Sequence, residues 1–430
     1  MKITIHRGIN QIGGSITEIA TDNTKILIDF GQNLPDGEGN VSDDFANQEA
    51  VNKLTKGVNA IFYTHYHGDH IGLFHLVPET IEQHIGEVAK KVVLRKHQQL
   101  SYIKDRKTQS LQEISVIERM KTYNPLSILK VGDITIIPFF VSHSAYDAYM
   151  FLIETDKTKI LHTGDFRGHG YLSKNFLGNL EKRILKNKTI DLLITEGTML
   201  SRLTEKVMTE NELQNETIKL MKQYKNVFIM SSSTDMERLA SFFSANKKIG
   251  KKPFVCDEFQ QDILGIFTET AGKKSNIFNF HKTYSFNRKG IHPKLFTWIK
   301  NEGFTMMVRA SDKFENIIKS IKPVIKEEET LLIFSMWKEY INPKSKHKNK
   351  TYYDFIKLFP NVKQLHTSGH ASARCLVDVC NLVNPTNGII PIHSEYSDNY
   401  RKLPIKEELK SKIITSSTSF NNIDIKITKS

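Results

Sequence analysis

Short apolar and β-branched runs, each closed by a polar residue or a glycine, dominate the first two hundred positions of this chain. Residues 2–6, 15–20 and 24–30 are brief alternating or β-branched segments punctuated by Gly13, Gly14 and Gly31, and they read as strands joined by tight turns. Residues 58–64 form a buried strand that runs straight into a histidine cluster, and 134–142, 148–154, 160–163 and 190–195 repeat the pattern of an apolar run ending on a polar residue. The main helical stretch in this part covers residues 80–119. Strand ends that repeatedly present polar side chains are what a site built on a sheet edge needs.

After Gly197 the rhythm changes. Residues 205–224 and 236–245 carry a helical period, while 227–230, 253–256 and 331–335 are single buried strands between helices. That alternation predicts an α/β fold with a parallel sheet. Residues 364–370 and 388–393 return to strands followed by histidine-bearing loops, so the chain reads as one domain interrupted by another. The expected parts are residues 1–200, an insert at 201–365, and a return at 366–430.

Composition narrows the class. The chain has 430 residues, 25% charged and 39% hydrophobic, which excludes a disordered or collagen-like protein. Cys256, Cys375 and Cys380 are odd in number and lack CxxC spacing, so no disulfide framework or zinc ribbon is supported and a reducing, cytoplasmic setting fits. The amino-terminal sequence turns polar after a few residues, and the longest apolar stretch, 134–141, is interrupted by Pro138; no signal peptide or membrane span is predicted. Charge is more informative. Residues 203–365 hold 28 Lys and Arg against 18 Asp and Glu, so ten of the thirteen surplus positive charges fall there. Such asymmetry points to a surface that faces a polyanion, although runs such as 247–252 and 343–350 also read as solvated lysine loops.

The strongest chemical signal is Thr64-His65-Tyr66-His67-Gly68-Asp69-His70. At a strand end, His65 and His67 project to one side two residues apart, and a turn at Gly68 folds Asp69 and His70 back toward them. Imidazole and carboxylate suit zinc, and two adjacent sites need this density of ligands. His143, Asp165 and His393 each follow an apolar run and precede a turn, which makes them candidates to complete the set, with Asp165 the natural shared ligand. Two neighbouring metals polarise a phosphoryl oxygen and lower the pKa of a water into the nucleophilic range.

With these residues in place the chain resembles the metallo-β-lactamase superfamily, and within it the β-CASP nucleases of the ribonuclease J kind. The resemblance rests on Asp29 in Ile-Leu-Ile-Asp-Phe-Gly, on His65, His67, Asp69 and His70, on His143, Asp165 and Glu196, and on His370 and His393. It implies an αββα sandwich with an inserted Rossmann-like β-CASP domain. It also implies two zinc ions per chain, with manganese as a substitute: His65, His67 and His143 on one, Asp69, His70 and His393 on the other, and Asp165 bridging. Asp69 would share in catalysis, Asp29 would support the ligands without touching metal, Glu196 would orient the site, and His370 would contact the scissile phosphate or protonate the leaving oxygen. The Ser-Gly turn before His370 agrees with that role, because small residues let backbone N–H groups face a phosphate; Ser368 is a candidate phosphate contact there. Ser233 and Thr234, in the turn Ser231 to Arg238, are further candidates, with helix capping as the plainer alternative. Trp337 either stacks a base or fills the interdomain contact.

The expected activity is zinc-dependent phosphodiester hydrolysis on single-stranded nucleic acid, RNA ahead of DNA, by an exo- or endonuclease. The alternative is a hydrolase of a small phosphate ester or lactone, and an inactive RNA-binding module is disfavoured by the intact ligand set. Oligomeric state, end preference and physiological target are not legible.

Overall fold

The computed structural model describes residues 1–287, 290–415, 418–420 and 423–427. In it the short amino-terminal runs form two sheets laid face to face. The first has eight strands in the order Thr418–Phe420, Ile423–Ile427, Lys2–Arg7, Ile16–Ala20, Lys25–Ile28, Ala60–Phe62, Glu82–Gly86 and Lys121–Tyr123. The second has six, ordered Gly388–Ile392, Leu192–Glu196, Lys159–His162, Ala148–Glu154, Ile134–Val141 and Leu129–Val131.

A two-residue side-chain period splits each strand between two cores. Ile26, Ile28, Ala60 and Phe62 of the first sheet meet Phe151, Ile153, Ile194 and Ile390 of the second in the centre of the sandwich. Their neighbours Leu27 and Ile61 point outward against Ala89, Val92 and Val93 of the helix Glu87–Leu100. On the far side Leu161 and Leu193 bury Leu376, Val379 and Cys380 of the helix Ala373–Val383. Four layers follow: helix, sheet, sheet, helix. Both faces of the central strands are covered, so these strands are apolar throughout.

The insert is a third sheet, parallel throughout, ordered Thr283–Phe286, Phe254–Asp257, Phe304–Val308, Asn226–Met230, Thr330–Phe334 and Val362–Gln364. Helices Glu210–Gln223, Met236–Ile249 and Glu258–Phe267 pack on one face, and Pro293–Glu302, Asp312–Ile321 and Lys350–Ile356 on the other. The fold is thus an αββα sandwich carrying an inserted Rossmann-like α/β unit, as the sequence leads one to expect.

Three local expectations need correction. Residues 80–119 are not one helical stretch: Glu82–Gly86 is a strand between Ala60–Phe62 and Lys121–Tyr123, and helices Glu87–Leu100 and Lys107–Arg119 are separated by a break. The first of these helices is capped from far away, since the Asp147 carboxylate accepts the N–H groups of Val88 and Ala89 at 2.7 and 3.0 Å. The helix expected at 205–224 begins only at Glu210, where Thr209 and Glu212 make a capping box, and this frees residues 205–208 to line a cleft. The strand near 364–370 is Val362–Gln364 and belongs to the inserted sheet, leaving residues 365–371 as a crossing loop.

Candidate metal centre

The carboxyl ends of strands from both sandwich sheets meet at one edge. Ala60–Phe62 leads to His65, Ile134–Val141 to His143, Lys159–His162 to Asp165, Leu192–Glu196 ends on Glu196, and Gly388–Ile392 leads to His393. A four-residue helix, Gly68–Ile71, folds Asp69 and His70 back over the strand end. It lies against Gly31, where a Cβ would fall 1.8 Å from the Asp69 carbonyl oxygen, so only glycine admits this approach.

His65 Nε2 and His143 Nε2 each lie 3.1 Å from His67 Nδ1. Tetrahedral zinc with nitrogen ligands at about 2.0–2.1 Å sets them about 3.3 Å apart, so this spacing suits one ion. Three further groups have ligand atoms within 4.8 Å of one another: His65, His70 and Asp165; Asp69, His70 and His393; and Asp165, His370 and His393. Asp165, His65, His70 and His393 each appear in two of these four groups, so the groups share members and form one cluster. All seven metal candidates therefore converge, and His370 joins them at the cleft side.

Neighbouring groups hold four of the rings, those of His65, His70, His143 and His393, so that one nitrogen faces the centre. His70 Nδ1 donates to Asp29 Oδ2 at 2.7 Å, while its buried Nε2 sits 3.1 Å from Asp165 Oδ2 without a hydrogen bond. His143 Nδ1 donates to the Gly369 carbonyl at 2.8 Å. Thr64 Oγ1 lies 3.0 Å from His65 Nδ1, and Thr198 Oγ1 lies 2.9 Å from His393 Nδ1. Such partners fix tautomer and ring direction. Asp29 also accepts the Thr64 N–H at 2.7 Å, and it and His393 hold left-handed backbones (φ 61° and 51°), conformations costly outside glycine and tolerated where a site is over-determined.

Electrostatics agree with a cation-binding floor. Burial and adjacent imidazoles hold His65 and His143 well below the usual histidine range, and burial lowers His67 to about 4, so all three are neutral ligands. Burial opposes the charged form of His70, but Asp165 and Asp29 outweigh it and hold its pKa well above normal. Burial likewise opposes ionisation of Asp165, and His393, His70 and His370 overcome it, keeping this carboxylate charged. The neutral imidazoles of His65, His67 and His143 and the ionised carboxylate of Asp165 are donors of the kind zinc takes.

Glu196 and His370 lie beside this centre. Glu196 Oε1 accepts the Ala371 N–H at 2.9 Å and stands 3.5 Å from His370 Nδ1; its Oε2 accepts the Thr198 N–H. His370 Nδ1 is also 3.6 Å from Asp165 Oδ2. Ser368 Oγ accepts the His370 N–H at 3.1 Å. In the turn that carries Ser233 and Thr234, the Ser233 hydroxyl accepts from Arg309 at 3.3 Å, the Thr234 carbonyl accepts from Tyr66 and its hydroxyl lies 3.4 Å from that of Ser232, which lines the cleft with Asp235. Trp337 is packed, with the Arg202 guanidinium 5.4 Å and His347 4.9 Å from its ring.

Sequence reasoning missed the support behind the centre. Arg167, two residues after Asp165, is buried and pairs with Glu210, Asp235 and Glu237 of the insert at 3.2, 3.1 and 3.3 Å. Arg238 pairs with Glu210 at 2.9 Å and donates to the Ser335 hydroxyl and the Thr367 carbonyl. Burial alone would raise Glu210, yet Arg238 and Arg167 pull it down to about 2. Thr198, in the same turn as Glu196, touches both His370 and His393. No spacing rule marks these residues, because their partners are distant in sequence.

The centre floors a cleft of about 920 Å³. Asp69, Ser144, His370 and His393 form one side; the cations Arg202, Lys206, Lys338 and Lys346, the aromatic residues Trp337, Tyr340 and Tyr352, and the carboxylates Asp36, Glu205 and Glu395 are among the residues lining the rest, with Glu205 3.2 Å from Arg202 and Glu395 3.9 Å from Lys346. Among the described residues no helix is long and apolar enough to cross a membrane.

Comparisons with known proteins agree with this geometry. Residues 24–227 match the β-lactamase superfamily domain, and residues 356–415 match the Zn-dependent metallo-hydrolase RNA specificity domain. Ribonuclease J of Helicobacter pylori strain B128 is 24% identical over 421 residues, covering 92% of this chain and 56% of the relative. Ribonuclease J of Mycoplasma pneumoniae is 23% identical over 417 residues, covering 92% and 68%. The chain thus spans little more than half the length of the Helicobacter relative. A protein of unknown function from Enterococcus faecalis V583 shares the fold, with a TM-score of 0.69 at 21% identity over 92% of this chain and 95% of that one. Two matched domains bracketing an insert, and a His/Asp cluster at the sandwich edge, place the chain in the metallo-β-lactamase superfamily of metallo-hydrolases.

Proposed function

We propose that this chain is a two-zinc phosphodiesterase acting on single-stranded RNA, with manganese able to replace zinc. The observation that carries the reading is the cleft itself, whose floor gathers seven His and Asp ligands while its remaining walls bring four cationic side chains and an aromatic cluster. Cationic side chains interleaved with aromatic rings suit a single strand, whose phosphates and bases they would meet in turn. The domain match at residues 356–415 and the ribonuclease J relatives support the same substrate class.

In this reading residues 1–200 and 366–430 form the catalytic domain and residues 201–365 the clamp. His65, His67 and His143 hold one ion, Asp69, His70 and His393 the other, and Asp165 both. Bound there, the two ions supply Lewis acidity toward a phosphoryl oxygen and activate a water. Arg202, Lys206, Lys338 and Lys346 bind and align the backbone phosphates. Glu196 and Thr198 hold the His370 ring beside Asp165. Burial opposes the charged form of His370, but Glu196 and Asp165 raise its pKa above the ordinary value, which favours the protonated ring that a departing ribose oxygen would need.

The test is a digestion time course on end-labelled RNA, 5′-monophosphate beside 5′-hydroxyl, with zinc, manganese or chelator. Metal-dependent cleavage of RNA is expected. Hydrolysis of bis-p-nitrophenyl phosphate with no cleavage of RNA would transfer the site to the small-ester class.

A further inference from the structure

The loop that carries His370 crosses from the inserted sheet to the sandwich without a strand partner. Three consecutive carbonyls of it are instead held by side chains from three different segments. Arg238 Nη2 donates to the Thr367 carbonyl at 2.8 Å, His169 Nε2 to the Ser368 carbonyl at 2.7 Å, and His143 Nδ1 to the Gly369 carbonyl at 2.8 Å. The loop also has no slack. A Cβ on Gly369 would stand 2.4 Å from the Ser144 hydroxyl and 2.9 Å from its Cβ. Where the backbone lies therefore decides where the His370 ring lies, 3.5 Å from Glu196 and 3.6 Å from Asp165.

Of the three donors, His143 belongs to the imidazole cluster and Arg238 to the buried ion network, so each has a second task. His169 differs. Its ring makes one hydrogen bond, to Ser368, and its backbone carbonyl accepts the Glu210 N–H at 3.1 Å, which ties its position to the insert. Burial, helped by the nearby Arg167 charge, lowers its pKa to about 4, so the ring is neutral; a carbonyl partner then requires the hydrogen on Nε2.

We propose that His169 is a positioning residue for the hydrolysis: its Nε2–H holds the Ser368 carbonyl and so sets the His370 ring at the leaving-group side of the centre. It makes no contact with the ligand set and acts only through the loop. The inference rests on the role given to His370 above.

The experiment compares full-length, metal-loaded H169F, H169Q, H370A and the double variant H169F/H370A. Zinc content, kcat and KM are measured on RNA and on bis-p-nitrophenyl phosphate, whose activated leaving group departs without a proton. H169F keeps two zinc ions and a KM within about 3-fold of the parent, while kcat on RNA falls by about 10–100-fold, the scale of a small misplacement. Its losses on the two substrates stand in the same ratio as those of H370A, and H169Q, which retains an N–H donor, recovers most of the rate. The double variant is no slower than H370A, as expected of residues acting as a unit. If H169F does not fold, H169N, whose shorter amide falls short of the carbonyl, takes its place. Additive losses in the double variant, loss of zinc, or equal damage from H169Q overturn the proposal. H370A turning over RNA at the parental rate overturns the role of His370 itself, and the positioning role with it.

Discussion

On the sandwich side of the cleft, His65, His67, Asp69 and His70 come from one short run; on the facing side, Arg202, Lys206, Lys338 and Lys346 come from separate segments of the chain. On the first side His65 and His70 are buried with their rings held by Thr64 and Asp29, and His67 and Asp69 are half-buried. On the second, Lys206, Lys338 and Lys346 are exposed on long stems, while Arg202 is half-buried against Trp337 and Glu205. Ligands for a metal must be placed to tenths of an ångström, whereas attraction to a phosphate chain acts over a Debye length and tolerates movement. The same contrast separates the two lysine runs. Lys346 lies at the cleft, beside His347 and Asn349. The run 247–252 precedes the strand Phe254–Asp257 and so lies at the amino edge of the parallel sheet, while the cleft lies past the carboxyl ends, at Ser232 and Ser335. Lys252 even turns inward, donating to the Met221 and Tyr224 carbonyls at the end of a helix.

The largest effect that can break the comparison is at Asp165, the proposed bridging ligand. Asp165→Ala should strip zinc and lower turnover on the order of 10⁴-fold or more, as when one member of a catalytic unit is removed, yet leave RNA affinity within about 3-fold because the facing wall is intact. Elemental analysis and a binding titration check both halves; a parallel loss of RNA affinity would show that the walls are not separable. Next comes His370→Ala, expected to keep its zinc while turnover falls by about 10²–10⁴-fold. Because His370 also stands in a potential ligand group with Asp165 and His393, zinc loss in this variant would assign it to the metal instead.

A third effect lies where the walls join. Glu210 is buried between Arg167 and Arg238, and Glu210→Gln leaves two buried cations under-paired, which should cost about 3–5 kcal/mol of folding stability. The sign of its pH dependence is fixed. Its pKa is lowered from 4.5 to about 2, so its contribution is present above the unfolded value and drains away as pH falls from about 4.5 toward 2. Melting temperatures of parent and variant should therefore converge on acidification, and a gap that persists at pH 2 would refute the assignment.

The smallest effect sharpens the lysine contrast. Replacing Lys344, Lys346, Lys348 and Lys350 by Gln should flatten the log–log salt dependence of RNA affinity by about 0.7 for each lysine that meets a phosphate. The same change at Lys247, Lys248, Lys251 and Lys252 should leave that slope alone and lower the melting temperature slightly, through Lys252. An unchanged slope in the first variant would remove that segment from the RNA path.

How much of this was legible beforehand depended on range. The strands at 134–142, 148–154 and 388–393 and the HxHxDH run announce themselves because a two-residue period and a strand-end turn are local, and the nearby residues alone place His65, His67, Asp69 and His70 together. The αββα layering, by contrast, was legible through the family resemblance and not from this period. What only the tertiary structure decided are the relations between distant segments. Strand Glu82–Gly86 hides in a helical-looking stretch because its ladder partners, and the Asp147 cap of the following helix, lie elsewhere. Arg167 and Glu210 carry no local mark of their burial, which comes from the insert packing on the sandwich. The two lysine runs are alike as text, and only the direction of a parallel sheet tells which one reaches the cleft.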